Sequence, residues 1–306
     1  MIIALLLLVI PLIVVAVNWY VNPYSIYKVP KLPLSNLWNP DLVAYSYRMI
    51  KPYQISKYKP SSIILGTSQT EAFDLNHRGF QDKVLNLGLG TATIYEMLKL
   101  FEYASNTGNL KQAIVLLDFM SFDGDRLTKK FWNEKWFNPY NVICKTLFSV
   151  SALKLSYICL KEKVFPSAHT MQSKTSECDN TEQWFKNHIF HNGEYRLGNT
   201  LDYYRQIFKI AHKNGIDLKL MTTPCHVRRW QTIRDIGIYP LFQYWKSELI
   251  RINKEEGGFD LWDFSIENEY TTDAQYYGDA SHFKRPIADM ILNNVFGYSN
   301  SFGIRR

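Results

Sequence analysis

Five short aliphatic and β-branched runs, each ending at a glycine or a polar residue, constrain this chain more than any other feature. They are Ser62 to Leu65, Val84 to Leu87, Ala113 to Leu117, Leu218 to Met221 and Phe259 to Trp262. Short apolar runs of this length, bounded by such residues, read as strands. Helical patterns lie between them. In Thr93 to Ser105, Ile94, Met97, Leu98, Phe101 and Ala104 share one face. Thr200 to Asn214 repeats the pattern and stops at Gly215, while Trp245 to Asn253 and Arg285 to Phe296 are alike. Strands alternating with helices of this length predict an α/β domain with a doubly wound, mostly parallel sheet. Residues 122 to 198 interrupt the alternation with helical pieces around Ala152 to Lys163 and an aperiodic polar segment, Ser167 to Gln183. They read as an insertion over one end of the sheet, a lid or a partner surface.

The first 27 residues carry no charged side chain, and Met1 to Val17 is almost unbrokenly apolar. Counted through Val21 at about 1.5 Å per residue, a helix here reaches roughly 30 Å, the thickness of a bilayer core. Trp19 and Tyr20 at its edge suit the membrane interface. A cleaved signal peptide competes, but no basic residue precedes the run and no small-x-small site precedes Trp19. A buried core helix is the third reading. The expectation is a retained anchor over residues 1 to 21, held by membrane lipid and kinked at Pro11, with an extracytoplasmic body in the periplasm or at the cell surface. A linker and lead-in over 22 to 59 follow, then the α/β domain over 60 to 297 and a tail over 298 to 306.

The remaining composition excludes more than it suggests. Thirty-five Lys and Arg against 28 Asp and Glu give a charge of +7, spread without a basic block, so no nucleic-acid partner is expected. Cys144, Cys159, Cys178 and Cys225 lack the Cys-x-x-Cys spacing of a zinc ribbon or redox site. They read as disulfides of unknown pairing or as free buried thiols. Seven scattered His, including His188 and His191, make no metal site, and no nucleotide or flavin fingerprint appears. No cofactor is expected. Trp132, Trp136, Phe137 and Tyr140 cluster in the insertion, where stacking on sugars competes with ordinary core packing.

Three polar pieces converge at the carboxyl ends of the strands, where parallel sheets bind ligands. Gly66-Thr67-Ser68-Gln69 follows the first strand, and a serine at such a turn has free backbone amides beside it, as an acyl-transfer nucleophile needs. A helix cap is the plainer alternative. Asn86-Leu87-Gly88 follows the second strand, where a glycine lets a ligand approach the backbone or simply makes a turn. Asp279-Ala280-Ser281-His282 places a carboxylate and an imidazole three apart on one side of a turn. Thr222, Thr223 and His226 after the fourth strand are further donors at the same end, and Cys225 beside them reads as structural.

In this order the pieces resemble the SGNH/GDSL hydrolase family, over about residues 60 to 297 and most specifically at Ser68 and Asp279-x-x-His282. The resemblance implies a flavodoxin-like three-layer α/β/α fold with a five-stranded sheet. It also implies Ser68 as nucleophile, His282 as general base and acid, Asp279 as its orienting carboxylate, and the amides of Ser68 and Gly88 in an oxyanion hole. Thr67 stands where the family has Asp, and Leu117-Asp118-Phe119 replaces its Gly-x-Asn-Asp block, so the Asn donor is missing. Thr223 and His226 are candidate replacements, and Asp118 reads as a residue that caps a turn or holds a loop. With the apolar leader, the chain looks like membrane-tethered members linked to bacterial polysaccharide O-acetylation. That likeness implies a polysaccharide acceptor and a multi-spanning membrane protein as acyl donor. A catalytically weak glycan-binding or scaffold subunit is the alternative it leaves open.

Overall fold

The computed structural model describes residues 2–35, 37, 46–124, 133–165 and 195–306, with the side chains of 2–8 excepted. Trp132, Cys178, His188, His191 and the segment 167–183 lie outside the described residues. The chain divides into two compact units, one formed by Met1–Lys57 with Asn133–Ser173, the other by Tyr58–Trp132 with Lys174–Arg306.

The larger unit is a six-stranded sheet in the order β2-β1-β3-β4-β5-β6. Its strands are β1 (Ser62–Leu65), β2 (Val84–Asn86), β3 (Gln112–Leu117), β4 (Asp217–Thr222), β5 (Asp260–Asp263) and β6 (Ile304–Arg305). The first five are mutually parallel and β6 is antiparallel to β5. Every residue of β1 and β3 is buried. That is why their sequences read as continuous apolar runs instead of alternating ones. Ile64, Ile114, Leu116 and Met221 pack against Ile287, Ile291 and Leu292 of the helix Arg285–Val295. Ile63, Val115 and Leu220 are equally buried and point the opposite way by strand alternation, so both faces of the sheet are covered. The architecture is mixed α/β.

Local signals set the helix ends. Ile94–Ser105 opens on a capping box, Thr93 accepting from the amide of Glu96 and Glu96 accepting in return. Thr200–Asn214 stops at Gly215, which adopts φ 61°. Two features differ from the sequence expectation. The sheet has six strands, because the tail over 298 to 306 contains β6, tied by the amide of Arg306 to Leu261 O and by Arg306 to Asp263. The helix expected from Trp245 begins at Tyr239, with Pro240 in its first turn, and is preceded by Val227–Asp235.

The smaller unit is helical. It contains α1 (Ile2–Val21), α2 (Tyr47–Tyr58), α3 (Pro139–Leu147) and α4 (Val150–Val164). Tyr24 and Ile26 are buried in its core with Met49, Ile50, Val142 and Ala152, so the expected linker over 22 to 59 is in part a folded element. Trp136 packs on the same core and Tyr140 is exposed, which separates two members of the aromatic cluster by role. Asn18 of α1 is fully buried: its amide nitrogen donates to Leu147 O at 2.7 Å, and its oxygen accepts from the Ser156 hydroxyl at 2.9 Å. Among the described residues no single helix is long and apolar enough to cross a membrane; the short apolar helical stretch is Val9–Val21. The pair α3 and α4 reaches that length and composition together, bent by 56° at the break.

Candidate active site

The carboxyl ends of β1 and β2 and the loop before the last helix bring one set of polar groups together. Ser68 opens a 3-10 turn, Ser68–Ala72, immediately after β1 and Gly66-Thr67. Its hydroxyl lies 2.7 Å from Nε2 of His282. Nδ1 of the same imidazole lies 2.7 Å from Oδ2 of Asp279. The other carboxylate oxygen of Asp279 accepts the amides of Ser281 at 2.7 Å and His282 at 2.8 Å. Asp279 is thus pinned by the backbone of its own turn and can only aim its free oxygen at the ring. With Nδ1–H donating to Asp279, Nε2 is left with a lone pair for the serine proton.

The loop that carries Asp279 and His282 is closed on itself and tied from outside. Gly278 donates its amide to His282 O at 2.8 Å, and Tyr277 bridges Phe283. Gln69, next to the serine, donates to Ser281 O at 2.6 Å. His226 donates its amide to Ala280 O at 3.1 Å, and its ring packs edge-on against Tyr277. Burial alone raises the pKa of Asp279, but the imidazole beside it and the two amides outweigh that and hold the carboxyl down at about 2. It is ionised at any working pH.

Three of the donors expected around the serine take other places. The amide of Gly88 donates to Oδ1 of Asn86 at 2.8 Å, so it is spent inside the protein and does not point at a ligand. Asn86 also accepts the Thr70 hydroxyl at 2.9 Å and donates to Thr70 O at 2.8 Å, which locks the end of β2 to the serine turn. Gly88 is required for space: a Cβ there meets Oγ1 of Thr70 at 1.7 Å. His226 accepts the amide of Arg228 and caps the helix Val227–Asp235. Thr223 is buried around a small cleft with Asp118, Cys225 and Arg229. The serine's own amide has no acceptor among the described residues and is the donor this turn offers.

Gly88→Ala is expected to push Thr70, and with it the turn bearing Ser68, at a cost of about 1–3 kcal/mol for overpacking. A thermal melt checks the stability, and serine labelling checks the site; a variant with wild-type values in both would show that the turn yields freely.

The sequence reading did not anticipate Arg229. It is buried in the first turn of the helix Val227–Asp235 and donates to Oδ1 of Asp118 at 2.7 Å and to the Cys225 thiol at 3.2 Å. Asp118 also caps the turn Phe119–Phe122 by accepting the amide of Met120. So the position where the resemblance asks for an Asn donor holds a loop through a buried ion pair. Burial pushes the Cys225 thiol up to about 11, which makes it no nucleophile at neutral pH. Cys144, Cys159 and Cys225 are free thiols, and no three His, Cys, Asp or Glu among the described residues form a metal-holding group.

Beside β5 a recess of about 320 Å³ is lined by Trp230, Arg234, Tyr239, Phe242, Lys246 and Glu267 among others. One lining residue, Lys246, is held by pairing with Asp263 at 2.8 Å and donating to Ser265 O at 2.9 Å.

No family model matches the chain, and no curated protein matches it. A solved structure described as "a putative platelet activating factor" from Streptococcus pneumonia is similar at 11% identity, over 83% of this chain and 92% of its own, with a TM-score of 0.44. A likeness at that level is silent on function, which has to be read from the side chains themselves.

Proposed function

We propose that this protein is an envelope-anchored serine acyl-transfer enzyme that moves an acyl group, acetyl in the simplest case, to or from a hydroxyl of a polysaccharide. The observation that carries the reading is the serine–imidazole–carboxylate line, with both contacts at 2.7 Å. Ser68 Oγ attacks the carbonyl carbon of an acyl donor while His282 Nε2 takes its proton. Asp279 stabilises the imidazolium and does not itself take the proton. The Ser68 amide faces the developing oxyanion. When the tetrahedral adduct collapses, His282 protonates the departing oxygen and leaves an acyl-Ser68. A sugar hydroxyl then attacks that ester, gives its proton to His282, and releases acylated product and free Ser68. Water in place of the sugar turns the same steps into an esterase.

The recess beside β5, with its aromatic walls and its Arg, Lys, Gln and Glu groups, has the mixture that suits a polyhydroxylated chain. Residues 1 to 21 would tether the body to the membrane, where a multi-spanning protein could present the acyl donor.

A second reading has a specific observation behind it. With the Gly88 amide engaged by Asn86 and Asp118 standing in place of the expected Asn, the oxyanion lacks two of its expected donors, and each such donor contributes about 2.7–4 kcal/mol. A glycan-binding subunit that retains the triad but turns over poorly fits that deficit.

Intact mass of the full chain after incubation with p-nitrophenyl acetate, beside Ser68→Ala, separates the two. The enzyme reading expects an acetyl adduct, or nitrophenol release, that the alanine variant loses by about 10³-fold or more. Release that persists undiminished in Ser68→Ala would sink it.

A further inference from the structure

The helical unit exposes apolar surface in a way that the sheet unit does not. Apart from Tyr58, Tyr244, Tyr298 and Ile304, every large exposed apolar side chain among the described residues belongs to it. Tyr140 and Phe148 project from α3 and its C-cap, 76% and 59% exposed. Val150 and Tyr157 of α4, and Phe165 just beyond it, are 65%, 64% and 72% exposed. On α1 the exposed apolar residues are Val9, Ile10, Leu12, Ile13 and Trp19.

The inner face of α4 is small and tightly used: Ala152, Ser156 and Cys159 are buried, with Ser156 bonded to Asn18. Helix α4 therefore packs by its small residues and turns bulky apolar ones outward. That is the reverse of a water-facing helix, and it is how helices associate where lipid is the solvent. The charge on the hairpin is one-sided. Lys145, Lys154, Lys161 and Lys163 are exposed against the single acidic residue Glu162.

We infer that the α3–α4 hairpin lies in the headgroup layer of an anionic bilayer beside α1, as a second membrane contact. The inference rests on the membrane attachment proposed above. Lys154, in the middle of α4, argues against crossing and for lying flat, because a long lysine stem lets the ammonium reach headgroup phosphates while Tyr157 and Ile158 sit deeper. Depth is consistent as well. The hairpin meets α1 at Asn18, one residue before Trp19 and Tyr20, the pair that suits the interface. Bilayer, with four lysines for its phosphates, satisfies both the apolar and the charged part of this surface.

Cys144, exposed on α3 between Tyr140 and Phe148, is a native reporter. The full chain with Cys178→Ser is labelled there with bimane and reconstituted in vesicles of phosphatidylethanolamine and phosphatidylglycerol. A second sample carries the label at Lys254→Cys in a Cys144→Ser, Cys178→Ser background, on the sheet unit. Lipid-borne bromine should quench the Cys144 label several-fold more than the Lys254 label, and aqueous iodide should show the opposite order. Protein that binds vesicles but leaves Cys144 open to iodide overturns the hairpin contact and leaves the anchor standing. Shielding from iodide without quenching by bromolipid means a protein partner or second copy covers the face, and also overturns it. Failure to bind vesicles at all removes both.

Discussion

Asp279→Asn is expected to lower turnover of p-nitrophenyl acetate by about 10⁴-fold while the protein remains folded. The reason is geometric. Asp279 receives two backbone amides on Oδ1, so an asparagine there keeps its oxygen on those amides and turns its NH₂ toward the ring. Nδ1 of His282 must then accept, which places the ring proton on Nε2, facing Ser68. The imidazole is present, well placed and in the wrong tautomer. A fall of less than about tenfold would show that Asp279 does not orient the base.

The same variant carries a pH signature with a defined sign. The carboxyl sits at about 2 in the folded protein against 3.8 ordinarily. A depressed folded value stabilises above the ordinary pKa, and the contribution is lost as pH falls through about 2. Wild type should therefore be the more stable at neutral pH and converge on Asp279→Asn between pH 3.8 and about 2, as read by urea melts.

Arg229→Met is the larger effect on stability. It strands the Asp118 carboxylate, 5% exposed, without its ion pair. Breaking one side of a buried pair costs about 3–5 kcal/mol. For a unit of this size that lowers the melting temperature by roughly 10 °C. Asp118→Asn combined with Arg229→Met should recover much of the loss, because the uncompensated charge is gone. A double variant no better than the single one would mean that Arg229 acts mainly through Cys225. Activity should fall with stability, since Cys225 also sits 4.0 Å from Nε2 of Gln69, the residue that ties the serine turn to Ser281.

What could be read from the sequence follows from how local each determinant is. The first five strands appear within a residue or two of their sequence limits: in β1 and β3 burial of every residue leaves an unbroken apolar run that stops at Gly66 or Asp118, and in the other three a short apolar stretch is bounded by polar residues or by Gly88. Strand β6 has two exposed residues and no pattern to read; it exists through Arg305 and Arg306 meeting Asp260 and Asp263. The Asp279–His282 pair is legible because it spans one turn. Its meeting with Ser68 follows only from the order of the blocks, which a resemblance supplies. The role of Gly88 is not legible for a different reason: whether an amide is free depends on a side-chain rotamer two residues away, and Asn86 takes it. The Asp118–Arg229 pair, 111 residues apart, carries no local signal at all.

The sheet ends at one side in the three residues of β2 and at the other in the two residues of β6. Neither border is long enough to template a further strand. Two copies meeting edge to edge would find too few unpaired backbone groups in register to extend the sheet, so the fold disfavours cross-β growth.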